Sequence, residues 1–345
     1  MEKYSLLLML LTICSCDIKR VLKPDEKSVE DFIKNKLSIT ENITVEKLSG
    51  GFSGAQLFKA STGSKKYVVR FLTHKSLEER TLEINTLQIA SQEGYGPNVY
   101  YSDIDQGVVI MEFLQQSNIS QELFKSDKTY VLLAKLLQKI HRGPKFKNIP
   151  DRDVFNTIHQ LSHDKKLTCN KALPLEKIEN IINFIYKTLS PHLISAPCHN
   201  DLHPSNIIFL GDKFKAIDYE RATQSDPYFD IAMVAYAYCQ NSHYENVLLS
   251  TYLERQPTEI ENSKLYLFKQ VAWAYCGICF LIMIPELLTQ YEKTNVLEYN
   301  ELIKTFIDLS KQKNKLKFAK ALLNHVIQNF ESKEFNNTVK ILNKK

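Results

Sequence analysis

The sequence lacks a cysteine framework. Its seven cysteines among 345 residues are scattered, with no set of C-x-x-C pairs at zinc spacing. The one close pair, Cys276-x-x-Cys279, lies in an apolar helical run, where buried thiols are the reading. An odd count without a framework argues for a reducing compartment and against a disulfide-stapled secreted domain. Tryptophan occurs once, as Trp273. No internal repeat is evident. Charge of one sign is not in excess: the net +5 suits an anionic nucleotide or simply solubility. Lysines crowd the last forty residues (Lys311, Lys313, Lys315, Lys317, Lys320, Lys344, Lys345), which reads as a solvated helix face, so no nucleic-acid partner is expected. The apolar run from Leu6 to Cys14 is too short to span a bilayer as a helix. With 44% apolar and 24% charged residues, the chain is ordinary globular protein of one or two domains.

One stretch organises the rest: Cys198-His199-Asn200-Asp201-Leu202-His203-Pro204-Ser205-Asn206, followed by Ala216-Ile217-Asp218-Tyr219-Glu220. Its polar residues have the types and spacing that phosphoryl transfer needs. Asp201 can accept a proton from a substrate hydroxyl, and Asn206 supplies an amide oxygen to Mg²⁺. Asp218, ending an apolar run, supplies a carboxylate to the same metal. Such transfer works mainly by positioning and by neutralising phosphate charge, so a base and two hard oxygen ligands form a minimal set. A surface loop whose Asp and Asn only make turns has the same spacing. What sets this loop apart is its context: it leads into an apolar strand (Ile207 to Leu210), a turn at Gly211-Asp212-Lys213 and a paired strand (Phe214 to Ile217). A second phosphate-related signal is Ser49-Gly50-Gly51-Phe52-Ser53-Gly54, between strands at Val45–Leu48 and Ala55–Ala60. Glycines there let backbone amides approach phosphate; a plain hairpin turn is the alternative.

The set His199-x-Asp201-x-x-x-x-Asn206, Ile217-Asp218-Tyr219-Glu220 and Asp226-Pro227-Tyr228-Phe229-Asp230-Ile231-Ala232 resembles the choline/ethanolamine kinase and aminoglycoside phosphotransferase superfamily. Asp-Tyr-Glu and the following F-D-I-A point to the choline-kinase-like branch. The absence of an Ala-Pro-Glu motif and of a clear activation segment speaks against a protein kinase. The resemblance implies an α+β, two-lobed protein-kinase-like fold: a small antiparallel-sheet N-lobe over residues 21–114 and a mostly helical C-lobe over 115–345. Residues 1–20 stand apart as a signal-like or flexible segment. It also implies ATP and Mg²⁺ as cofactors and transfer of the γ-phosphate to a hydroxyl of choline or a related amino alcohol. By the same resemblance Gly50, Gly51 and Ser53 lie over the phosphates, and Arg70 takes the place of the kinase strand lysine as a phosphate clamp. Glu83 is its helix partner, while Glu79 reads as a surface charge. Met111, Glu112 and Phe113 fall at the hinge that holds adenine. Asp230 bonds the catalytic-loop backbone, His199 shapes that loop, and His141 is structural. Glu220 serves a second Mg²⁺ or orients Arg221.

The acceptor is less legible. Choline kinases carry a Glu-Trp segment and a Trp-x-x-Trp pair; here Ala237 stands at the Glu position and the second segment reads Trp273-Ala274-Tyr275-Cys276. Tyr236, Tyr238, Trp273 and Tyr275 form either an aromatic pocket for an ammonium group or core packing. Glu220, Tyr238 and Trp273 are the substrate-contact candidates; Asp226 is a turn residue or a substrate contact. An aminoglycoside or thiamine-type acceptor, or a catalytically silent nucleotide-binding protein, remains the alternative. Dependence on ATP favours the cytoplasm. The loose lipoprotein-type box Ile13-Cys14-Ser15-Cys16 leaves membrane attachment through residues 1–16 as the other option.

Periodicity places helices from Ser28, at Leu77–Gln92, Tyr130–Ile140, Asp151–Leu161, Leu175–Leu189, Val234–Cys239, Tyr244–Leu253, Leu265–Leu288, Tyr299–Ser310 and Lys315–Phe330. Further strands fall at Lys65–Leu72, Val99–Ser102 and Gly107–Phe113.

Overall fold

A helix starts where a side chain can take up its first amides. Asp25 accepts from the Ser28 amide at 2.8 Å and Ser28 Oγ accepts from the Asp25 amide at 3.0 Å, so α1 spans Glu26–Leu37. The cap is therefore Asp25, three residues before the expected Ser28, which instead closes the capping box. The computed structural model describes residues 24–48, 55–63, 65–117, 121–146, 153–295 and 311–344. The expected phosphate-loop residues Gly50, Gly51 and Ser53, the segment 1–20 and the helix expected at 299–310 lie outside the described residues. The chain divides into two units. The first is Met1–Ser117 with Ile208–Gly211 and Lys215–Arg221; the second is Asn118–Ile207, Asp212–Phe214 and Ala222–Lys345. The segment that carries Asp218 thus belongs with the first unit, although a division at residue 114 assigns it to the second.

In the first unit β1 (Thr44–Leu48), β2 (Gln56–Thr62) and β3 (Lys65–Phe71) precede α2 (Leu77–Gln92), β4 (Val99–Asp103) and β5 (Val108–Glu112). They form an antiparallel sheet in the order β1-β2-β3-β5-β4. Strand side chains alternate between faces, and one face is apolar: Phe58 and Ala60, Tyr67, Val69 and Phe71, Val108 and Ile110 pack with Val29 and Ile33 of α1. Arg70, between Val69 and Phe71, points to the other face. α2 opens on a second capping box, in which Glu79 accepts from the Ser76 amide at 2.8 Å. This gives Glu79 a local task and leaves the deeper position on the helix to Glu83.

The second unit is mostly helical: α3 (Asp127–His141), α4 (Val154–Ser162), a turn at Lys165–Thr168, α5 (Leu175–Leu189), α6 (Pro227–Tyr238), α7 (Ser242–Leu253), α8 (Glu259–Ile282), α9 (Gln312–Phe330) and α10 (Lys333–Leu342). β6 (Ala196–Cys198) pairs antiparallel with β9 (Thr223–Ser225). The expected hairpin of β7 (Ile207–Phe209) and β8 (Phe214–Ala216) forms, and most of its residues belong to the first unit. α8 has the length and apolar composition of a membrane span, but most of it is buried within the unit, where α6, α9 and α10 pack on it. Gly277 permits the close α8–α9 approach: a Cβ there would meet Leu323 Cδ2 at 2.7 Å. Three expectations shift. α6 begins at Pro227, seven residues before the expected Val234, because Asp226 caps it and proline suits a first turn. β9 and α10 are elements the sequence reading did not place. Lys320 is no solvated charge, since its ammonium donates to the carbonyls of Tyr291, Glu292 and Thr294 at 2.8–3.1 Å.

Candidate active site

In the first unit the other face of the sheet carries a ladder of alternating charge. Arg70 Nη2 lies 2.9 Å from Glu83 Oε1 and 2.9 Å from Asp218 Oδ1, and 3.9 Å from Glu220 Oε2. Lys75 Nζ lies 2.6 Å from Glu83 Oε2 and 2.8 Å from Glu220 Oε2. Glu83 therefore bridges two cations, one through each oxygen, and each cation holds a further carboxylate. Arg70 and Glu83 are buried, at 6% and 4% exposure. Burial lowers the Arg70 pKa, but the attraction of Glu83, Asp218 and Glu220 outweighs it and raises the pKa above the ordinary value. Lys75 is shifted upward in the same sense: burial opposes its charge, and Glu83 and Glu220 overcome that. Two cations against three carboxylates leave one negative charge in excess.

Asp218 is held by its neighbours as much as by its charge. Tyr219, 2% exposed, donates its hydroxyl to the Ala216 carbonyl at 3.0 Å. The Ala216 amide donates to the Tyr95 carbonyl at 2.8 Å, anchoring the segment to the Gly94-Tyr95-Gly96 turn. Asp218 itself takes a φ of +65°, in the left-handed region, which a short polar side chain tolerates better than a bulky one. Burial pushes the Tyr219 phenol well up, so it stays a neutral donor.

At the end of β5, the Glu112 amide donates to the Asn98 carbonyl at 2.8 Å and the Phe113 amide to the Lys66 carbonyl at 3.1 Å. Those two amides serve the sheet and its margin. The Glu112 carboxylate takes Lys215 at 3.2 Å and the Asn98 amide at 3.1 Å. Met111 is half-buried in β5.

In the second unit the loop after β6 is organised by Asp230, which has no exposed surface. Its Oδ2 accepts from the His199 amide and its Oδ1 from the Asn200 amide, both at 2.7 Å. His141 Nε2 lies 3.1 Å from the same Oδ2, and His141 Nδ1 3.0 Å from the Tyr252 hydroxyl. Ser225 Oγ donates to Asn200 Oδ1 at 2.7 Å, and Asn200 adopts a φ of +61°. The chain emerges from this anchor at Asp201. Asn206 Nδ2 donates to the Asp201 carbonyl at 3.0 Å and to its carboxylate at 3.1 Å. With its NH₂ group spent on Asp201, Asn206 keeps a hard amide oxygen for other use. His203 Nδ1 accepts from the Ser205 amide at 3.3 Å, so the ring proton sits on Nε2, 3.7 Å from Asp201 Oδ2. The amide oxygen of Asn206 in this unit and the carboxylate of Asp218 in the first are each of the hard-donor type that Mg²⁺ prefers.

Other sequence candidates are placed differently. Asp226 caps α6, accepts from the Ile194 amide at 2.9 Å and pairs with buried Lys264 at 3.1 Å, a structural post. Trp273 is 4% exposed, with the His325 ring 4.4 Å away edge-on. Tyr238 is half-buried and stacks on Phe124 at 5.4 Å. Glu220 faces Lys75. Lys75 itself escaped the sequence reading. Its one local signal is its place just before the Ser76 cap, which marks a loop lysine at the mouth of α2.

Residues 44–257 match the family model described as the phosphotransferase enzyme family. The protein named LicA from Haemophilus influenzae is 26% identical over 192 residues, covering 54% of this chain and 72% of that protein. Across the curated relatives matched, the aligned stretches span between 32% and 72% of the relatives' own lengths. Among solved structures, a choline/ethanolamine kinase family protein from Mesorhizobium loti superposes with a TM-score of 0.64 at 18% identity, over 90% of this chain and 98% of that one. The choline kinase LicA from Streptococcus pneumoniae superposes with a TM-score of 0.57 at 21% identity, over 84% and 98%. At these identities the structural likeness concerns the fold, the two-lobed kinase-like α+β architecture.

Proposed function

Since the chain belongs to the phosphotransferase enzyme family, we propose that it moves the γ-phosphate of ATP to a hydroxyl of choline, ethanolamine or a related amino alcohol. The observation that carries the reading is Asp201. Its loop is fixed by a fully buried Asp230, and its carboxylate is oriented by Asn206. A carboxylate so held is a ready acceptor for the proton of an attacking hydroxyl. Asn206 and Asp218 would hold Mg²⁺, which when bound supplies charge neutralisation to the phosphates. Arg70, oriented by Glu83, would serve as the phosphate cation of the first unit, exchanging its contact with Asp218 for one with the nucleotide. Glu112 and Phe113 border the adenine position. The amino-alcohol acceptor is supported by the names of the relatives above and by the Asp-Tyr-Glu and F-D-I-A segments. The need for ATP supports a cytoplasmic place of action.

ATP consumption with Mg²⁺ is measured against choline, ethanolamine, thiamine and an aminoglycoside, with Asp201→Asn in parallel. Acceptor-dependent turnover with choline or ethanolamine, lost in the variant, is the expected result. Turnover that survives Asp201→Asn sinks the assignment of the base. Nucleotide binding without turnover on any acceptor favours a silent nucleotide-binding protein, in which the Arg70–Asp218 pair never opens.

A further inference from the structure

The second unit carries a cluster of ligating side chains that phosphoryl transfer does not use. His159 lies on α4 and His163 is the residue that caps its C-terminus, four positions on, so both rings stand on one side of the helix. Their centroids are 4.5 Å apart. Glu179 of α5 reaches across, and its Oε1 contacts His159 Nδ1. One ligand atom from each of the three residues lies within 4.8 Å of the other two. Both histidines are exposed and Glu179 is half-buried. We propose that His159, His163 and Glu179 form a surface site for a borderline divalent transition ion, Zn²⁺ foremost, that ties α4 to α5.

Three observations carry this. The donor set, two imidazoles and a carboxylate, is one that Zn²⁺ takes at about 2.0–2.2 Å while keeping a position for water. The tautomer of one ring is already set: His163 Nδ1 lies 2.9 Å from the His159 carbonyl, and a carbonyl only accepts, so Nδ1 carries the hydrogen and Nε2 keeps its lone pair. The two elements are also packed on each other before any ion arrives, since α4 and α5 bury Phe155, Ile158, Ile181 and Ile185. Only side-chain rotation is needed to close the three ligand atoms onto an ion. Mg²⁺ prefers oxygen ligands and would not compete at a site dominated by imidazole. The site is thus chemically distinct from the Mg²⁺ role proposed for Asn206 and Asp218.

Calorimetric titration of the full chain with ZnCl₂ tests it, without nucleotide and in excess Mg²⁺. The expected result is one saturable equivalent whose affinity falls at least about tenfold in His159→Ala and in His163→Ala. A fall of roughly tenfold or more is expected in Glu179→Gln, the range for a lost ligand or its orienting partner. The melting temperature rises with Zn²⁺ in the wild type and not in the His159→Ala/His163→Ala double variant. Cys169 is an exposed thiol six residues from His163 and supplies the control. Cys169→Ser leaves binding intact, and Co²⁺ in place of Zn²⁺ gives ligand-field bands with no thiolate charge-transfer band. Binding that survives the double histidine variant, or disappears in Cys169→Ser, overturns the proposal, as does the absence of any saturable equivalent.

Discussion

Replacing Lys75 with Met keeps the apolar stem and removes one charge from the ladder Asp218–Arg70–Glu83–Lys75–Glu220. Lys75 is about one-eighth exposed and Glu83 5% exposed, so Glu83 cannot be rehydrated freely. After the change Glu83 keeps Arg70 at 2.9 Å, but Glu220 is left with its nearest cation, Arg70 Nη2, at 3.9 Å. Removing one partner of a buried pair costs about 3–5 kcal/mol when both groups are dry. Glu220 is 23% exposed and partly relieved by water, which brings the expected loss to ~2–3 kcal/mol. Glu220→Gln alone should cost ~1–2 kcal/mol, as one charge-assisted hydrogen bond weakens. The double variant should cost less than the sum by ~1–2 kcal/mol, because the carboxylate left bare by the first change is gone in the second. The sign with pH follows from the raised Lys75 pKa. The contribution is fully present below the ordinary value of 10.5 and is lost as pH rises through the higher folded value, so the neutral-pH cycle reads all of it. The sole tryptophan, Trp273, lies in the second unit and cannot report on the first. The readout is therefore hydrogen exchange of the β3 and α2 amides. Additivity of the two single changes within about 0.5 kcal/mol would refute the ladder as a coupled network. Lys75→Arg should restore most of the protection and, under the proposed function, the turnover.

Asp230→Asn replaces a carboxylate that accepts two 2.7 Å backbone bonds with an amide that must present an NH₂ group to one of those donors. A loss of ~2–4 kcal/mol in urea unfolding is expected, together with a fall in kcat larger than the change in KM, because the Asp201 loop loses its anchor. Gly96→Ala puts a methyl 2.8 Å from Ala90 Cβ and 3.2 Å from the Tyr219 hydroxyl, with an expected cost of ~1–3 kcal/mol in thermal unfolding; an unchanged midpoint would show that the turn has room to move. His325 is depressed to about 4, by burial first and then by Lys269. The unfolded chain binds the extra proton between about pH 6.5 and 4, so stability falls as pH drops through that window. The full linkage is about 3 kcal/mol, and solvent screening of a half-buried ring reduces it to ~1–2 kcal/mol. Denaturation followed by Trp273 fluorescence, which the His325 edge contact should make sensitive to that proton, should show a flatter acid limb in His325→Gln.

The residues that could be read from sequence are those whose partners are near in sequence or whose spacing is itself the chemistry. Asp201 and Asn206 stand five apart and meet directly, and Asp218 follows one hairpin later. Leu77–Gln92 and Leu175–Leu189 were legible to the residue because caps or apolar spacing mark both ends. Ser28 carries the cap signature in the sequence, and only geometry shows that Asp25 is the cap and that the two belong to one box. Lys75 was invisible for a different reason. Its partners Glu83 and Glu220 are eight and 145 residues away, and a lysine in a turn is by composition a solvated charge. Trp273 illustrates the converse. α8 is apolar around nearly its whole circumference, so no periodicity distinguishes a residue facing a ligand from one facing α9; its burial against His325 had to come from the packing. Arg70 combines both limits. Its strand position follows from pattern and its pairing with Glu83 from the family resemblance, but its contact with Asp218 depends on a segment 148 residues on folding back into the first unit. That contact couples Arg70 to Asp218, the proposed phosphate cation to a proposed metal ligand, so neutralising Asp218 should loosen Arg70 in the unliganded protein. Asp218→Asn should therefore lower the protection of the Arg70 amide in the unliganded protein, and protection unchanged from wild type would mean that Glu83 alone holds the strand cation.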